Sequence, residues 1–179
     1  MKGYIIMKLI LIQAIGFIGT ILFFLSFQCK SNKNLFRVQF ASYLCYTTHL
    51  LMLGAITGGI SYILNLIRSF CLGSQNAFLR DKKMCYVICM LQILTLIFTY
   101  EEWWSILPVV ANIASTIGGY TYNAQKIRIA GMFINSPLWI IYNIIVGSWA
   151  GILDEIVSEI SMIISIYRYG WKNLDSIES

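Results

Sequence analysis

The sequence predicts an all-α membrane protein: seven transmembrane helices forming two parallel three-helix repeats joined by a linker helix (3+1+3), N-terminus outside and C-terminus inside. Three observations carry that reading. Of the 179 residues, 58% are hydrophobic and only 12% are charged, far from the balance of a soluble domain. The apolar mass falls into seven blocks of roughly 17–20 residues, the length that crosses a ~30 Å hydrocarbon core. Finally, the stretch Gln13–Arg68 recurs as Pro108–Ser161. The best-matched segment sets His49-Leu-Leu-Met-Leu-Gly54-Ala-Ile-Thr-Gly58 against Tyr142-Asn-Ile-Ile-Val-Gly147-Ser-Trp-Ala-Gly151. A duplicated hydrophobic unit separated by an odd segment marks a repeat-built membrane protein.

The blocks lie at 9–27, 37–53, 58–74, 84–100, 105–122, 129–146 and 149–169, all within one membrane domain, 1–179. The first carries Lys2 and Lys8 ahead of its apolar run. It has no Ala-x-Ala-like site and is long for a signal core, so it reads as a retained span. The third contains Asn65 and Arg68 and is the least apolar. It is assigned because its counterpart, 149–169, follows the same Gly-x3-Gly turn. Gly54 and Gly58, like Gly147 and Gly151, sit across turns and read as tight reversals. The block 84–100 is the linker that returns the chain to its starting side between the repeats, 9–74 and 105–169. Pro108 opens the fifth block, and Pro137 is expected to break the sixth early, after Asn135-Ser136. Residues 170–179 form a short cytoplasmic tail.

Orientation follows from the basic residues. Lys30, Lys33, Arg37, Arg80, Lys82, Lys83, Lys126, Arg128, Arg168 and Lys172 collect on one side, whereas Lys2, Lys8, Glu101 and Glu102 fall on the other. The net charge of +5 therefore reports orientation in a lipid bilayer rather than nucleic-acid binding. Five cysteines and a single histidine, with no Cys-x2-Cys pair, point to no metal site. No phosphate-binding loop, nucleophile constellation or cofactor motif is present, so the chain is not expected to be an enzyme.

With minimal loops, function is expected on polar residues inside the helices, where they are costly unless they face a partner or a wet cavity. Asn65 and Arg68 share a helix face at i, i+3. Arg68 lies about 15 Å beyond Gly58 along the axis, and its guanidinium stays charged. On the seventh block, Asp154, Glu155 and Glu159 lie at comparable depth. The simplest arrangement joins Arg68 to Glu155 or Glu159 across the repeats, either as a structural ion pair or as a substrate- or proton-coupling group. His49 and its repeat equivalent Tyr142 read either as satisfied hydrogen-bonding groups or as cavity lining. Trp139 and Asn143 add a stacking surface and an amide one turn apart on one helix. Asn112, Ser115 and Thr116 line the fifth block.

Together, His49-Leu-Leu-Met-Leu-Gly, Ile63-Leu-Asn-Leu-Ile-Arg68, Leu107-Pro and Trp139-Ile-Ile-Tyr-Asn143-x3-Gly147-Ser-x2-Gly151, with Glu155 and Ile166-Tyr-Arg168, resemble the YgjV-type bacterial inner-membrane family. The resemblance covers nearly the whole chain and implies a multi-pass location in the bacterial inner membrane. More distantly, the layout is similar to SWEET and PQ-loop carriers, which carry Pro-Gln where this chain has Phe27-Gln28 and Tyr122-Asn123. That likeness implies a substrate-facing asparagine on the third helix of each repeat. Asn65 fits the first place, and Ser158 stands at the second. The resulting expectation is a small carrier for a sugar-like or amino-acid-like polar metabolite, working by alternating access. Its expected site residues are Asn65, Arg68, Trp139, Asn143, Glu155 and His49. No cofactor is implied, and a homo-oligomer is compatible but not demanded. The alternative is a non-transporting scaffold or sensor held by a buried ion pair.

Overall fold

The computed structural model describes residues 2–29 and 31–171, with side chains from residue 7 onward. Lys30, Lys172 and the tail beyond Trp171 lie outside the described residues. All regular structure described is helical: α1 Lys2–Phe27, α2 Asn32–Leu53, α3 Ile56–Gly73, α4 Ala77–Arg80, α5 Lys82–Thr99, α6 Ile106–Gly119, α7 Ala124–Ala130, α8 Ser136–Ile145 and α9 Trp149–Tyr169. A 3₁₀ turn, Trp103–Ser105, precedes α6, and a π-helical stretch, Gly131–Asn135, joins α7 to α8. Met7–Phe27, Ile56–Gly73 and Lys82–Thr99 are each long and apolar enough to cross a membrane.

Two helices begin earlier than hydropathy suggests, because side chains cap polar first turns. Ser31 accepts from the Asn34 amide at 3.3 Å, so α2 starts at Asn32 rather than near 37. Asn123 accepts from the Lys126 amide at 2.8 Å, which starts α7 at Ala124 rather than near 129. Each cap satisfies an orphan donor of the first helical turn. Pro137 does not break the sixth block as expected. Helix continues from Ala124 to Ile145 because the π-helical stretch absorbs the hydrogen bond that proline cannot make. Its last register closes from the Ser136 amide to the Gly131 carbonyl.

Six long helical stretches close a ring: α1 packs on α2, α2 on α3, α3 on α6, α6 on α8, α8 on α9, and α9 returns to α1. Helix α5 lies outside the ring against α3 and α6. It buries only the stripe Ile88, Gln92 and Thr95, at the i, i+4, i+7 spacing of one helix face. Elsewhere the usual distribution is inverted. Phe98, Phe133 and Trp149 face outward, while Gln39, Asn65, Arg68, Asn112, Asp154 and Glu155 are buried. An apolar exterior around a polar interior suits a molecule whose solvent is lipid.

Short reversals give the ring two distinct ends. At one, the Tyr169 hydroxyl donates to the Gln28 carbonyl at 3.1 Å, and the Asn32 amide donates to the Tyr122 carbonyl at 3.2 Å. The described basic residues Lys33, Arg37, Arg80, Lys82, Lys83, Lys126, Arg128 and Arg168 belong to the helix starts and ends gathered there. Arg128 is buried there and donates to Ser165 at 2.8 Å. At the other end lie the α2–α3 and α8–α9 turns. Both turn on glycines at left-handed φ, Gly54 at +82° and Gly147 at +70°, where a side chain would be strained.

Candidate functional site

The polar interior is divided into layers by two apolar clusters. Towards the glycine-turn end, Tyr43, Tyr46, Leu50, Tyr62, Trp139 and Tyr142 pack together. Their rings meet edge-to-face or tilted, with Tyr62 and Trp139 4.6 Å apart between centroids. Towards the basic end, Phe27, Leu35, Phe36, Leu72, Tyr120 and Met162 form a second plug. Between them lies a cavity of about 40 Å³ walled by every helical stretch of the ring. Phe27, Tyr43, Arg68, Ser115, Ser136 and Ser158 represent the six walls. The volume is close to that of one water in bulk liquid, and members of both clusters, Tyr43 of one and Phe27, Phe36 and Met162 of the other, belong to its wall.

Of the six residues anticipated from sequence, Arg68 lines this cavity. It is 3% exposed, and one terminal nitrogen donates to the Tyr43 hydroxyl at 2.8 Å. Its Nε and Nη1 meet no acceptor. The expected ion pair to Glu155 or Glu159 does not form. Both carboxyl groups on α9 are instead turned towards the Ser136 hydroxyl, and Asp154 is turned towards Tyr46. Tyr43 from α2 stands beside Arg68 and takes only the bond from Nη2.

Asn65 and Trp139 are brought together by a residue that sequence reading set among the lining of its helix but not among the site. The Asn112 side-chain oxygen accepts from Asn65 at 2.8 Å and from the Trp139 indole at 3.2 Å. The Asn112 amide group in turn donates to the Ser61 carbonyl at 3.4 Å. This knot fastens α3, α6 and α8 beside the aromatic cluster. Tyr43 and Gln39 were missed altogether. Their signal is a polar stripe on α2, Gln39, Ser42, Tyr43, Tyr46 and His49, at helical spacing within an otherwise apolar span.

His49 and Asn143 lie away from the cavity, at the glycine-turn end. There the two halves of the chain cap each other's helices. Ser148 caps α9 by accepting from the Gly151 amide at 3.1 Å, and His49 of α2 holds that serine at 2.9 Å through Nε2. The His49 Nδ1 meets the Ile12 carbonyl at 2.9 Å. At the corresponding start of α3, Ala55 offers no side-chain cap. Tyr142 supplies the missing oxygen, its hydroxyl accepting from the Gly58 amide at 3.0 Å. A Cβ on Gly58 would lie 2.7 Å from the Tyr142 ring, and one on Gly151 would lie 2.5 Å from the Asn143 side-chain oxygen. Glycine is therefore required at both places for close approach. Among the described residues, no group of three or more metal-ligating side chains is assembled.

The family model Imp-YgjV, described as bacterial inner membrane protein, matches residues 10–173. No curated protein and no solved structure matches the chain.

Proposed function

Because the chain belongs to the Imp-YgjV family of bacterial inner membrane proteins, we propose that it is a small carrier which moves a polar metabolite across that membrane. In this reading seven spans are arranged 3+1+3. The first repeat is α1–α3, the second is α6–α9, α5 is the linker, the N-terminus is outside and the basic end of the ring is cytoplasmic. The SWEET-like and PQ-loop-like layout is part of the same proposal. No catalytic role is assigned to any residue.

The observation that carries the reading is the central cavity, walled by all six ring helices and flanked by a separate apolar cluster on either side. Opening the aromatic cluster alone would expose it to one side, and opening the phenylalanine-rich cluster alone to the other. That is the arrangement alternating access needs. The cross-capped turns at Gly58 and Ser148 supply contacts that could break and reform together as the halves rock. Asn65, Asn112 and Trp139 form the layer the cargo meets when the outer cluster parts, with Arg68 beneath. One observation favours a scaffold or sensor instead: the cavity, of about 40 Å³, holds little more than one small polar group.

Uptake by the purified protein in proteoliposomes, against a panel of sugars, amino acids and organic acids, separates the two. The carrier reading expects flux for at least one compound above protein-free vesicles, reduced in Asn65→Ala and in Glu155→Gln. If both variants keep every flux of the wild type, or no compound moves at all, the scaffold reading replaces it.

A further inference from the structure

Among the described residues, Arg68 is the one cation in the wall of the central cavity. It is almost fully buried, carries a guanidinium, and has a single hydrogen bond, to a phenol hydroxyl. Nε and Nη1 together present three N–H groups without an acceptor. A buried charge left in this state is strongly unfavourable unless a counter-charge completes it. Among the described residues no carboxyl group pairs directly with it: Glu155 and Glu159 are turned towards Ser136 and Asp154 towards Tyr46. Across the cavity from Arg68, the hydroxyl of Ser158 is likewise buried without a partner. The cavity wall thus offers one guanidinium among the hydroxyls and amides of Gln39, Ser115, Asn135 and Ser158, around a space the size of one small group.

Resting on the carrier reading, we propose that the cargo presents a carboxylate to Arg68, the remainder of the molecule being accommodated when one apolar cluster opens. A carboxylate is acceptor-only and can take several donors at once. Its single charge matches a single guanidinium, whereas a phosphate dianion would remain half compensated here. A neutral sugar would satisfy the N–H groups but leave the charge unbalanced. Two kinds of molecule share this chemistry, amino acids and organic acids.

The test uses the full chain in detergent and in proteoliposomes, with serine, lactate, succinate and glucose as probes. The carboxylate itself is varied on the ligand, so no result depends on whether an Arg68 variant folds. The expected result is binding and flux for at least one of serine, lactate or succinate. Replacing that compound's carboxylate by the primary amide should weaken binding by about tenfold or more. Arg68→Lys, which keeps the charge but not the planar fork, should weaken the acid while leaving the amide's residual binding unchanged. Serine alone assigns amino acids, lactate or succinate alone assigns organic acids, and either supports the inference. Glucose flux with every carboxylate silent overturns it while the carrier stands. Equal affinity for acid and amide also overturns it. Absence of flux and binding for all four probes overturns the carboxylate inference, and the wider panel above then decides the carrier.

Discussion

Tyr142 and Ser148 do the same work by different routes, and the comparison isolates what one oxygen contributes. In α9 the cap is local, a serine three residues before the amide it accepts. In α3 the same amide position is served from another helix by a tyrosine 84 residues away. Removing a helix cap costs about 0.5–2 kcal/mol. Tyr142→Phe should therefore destabilise the protein by about 1 kcal/mol, read as a lowered unfolding temperature in detergent. Adding Ala55→Ser should restore much of that loss, because it recreates at α3 the cap that Ser148 provides at α9. Failure of the double variant to recover would mean that the phenol acts through packing instead. Ser148→Ala should cost more than Tyr142→Phe, since it removes the cap and also strands the buried His49 Nε2. Of the two readings the sequence left open for His49, the satisfied hydrogen-bonding group was legible and agrees with its two bonds. Its partner was not, because a contact spanning 99 residues leaves no local pattern.

At the scale of elements, the long helices were legible because each is an apolar run, and their ends were less so because caps lie in polar turns. The largest disagreement is at Pro137. A proline within a helix normally leaves a carbonyl unbonded and kinks the axis. Here five residues of π-helix widen the turn ahead of it, and from that stretch the Asn135 side-chain amide donates to the Ala111 carbonyl at 3.1 Å. Because this stretch also supplies Gly131 and Asn135 to the cavity wall, its register sets the wall's shape. Pro137→Ala removes the reason for the wider turn. The expected outcome is unchanged or raised thermal stability together with slower flux through the carrier. Unaltered flux would make the π-helical stretch a packing device only. The charged pair was misjudged at this same scale: depth along α3 and α9 was legible, but which way each side chain turned depended on Tyr43 and Ser136, two neighbours on other helices.

For the whole molecule, the decisive quantity is which end of the ring faces the cytoplasm. Apart from Lys2, Lys8 and the buried Arg68, the described basic residues crowd the end where α1, α3, α6 and α9 finish, and Glu101 and Glu102 lie in the turn between α5 and α6 at the opposite end. Positive charges near short turns resist translocation, whereas acidic residues contribute little. In the proposed seven-span arrangement that asymmetry would put the basic end inside and the N-terminus outside. Gln75 and Glu101 are both exposed, lie at opposite ends of α5, and test this directly in a background with the five cysteines replaced. With a membrane-impermeant maleimide on intact spheroplasts, Glu101→Cys should label at once and Gln75→Cys only after permeabilisation. The reverse pattern would invert the orientation and exchange the roles of the two apolar clusters, the phenylalanine-rich one becoming the outer gate. Labelling of both from outside would mean that α5 does not cross, and a ring whose linker stays on one side could not hold its halves in parallel. The alternating-access reading would then lose its geometric basis even if the cavity and its arginine remained.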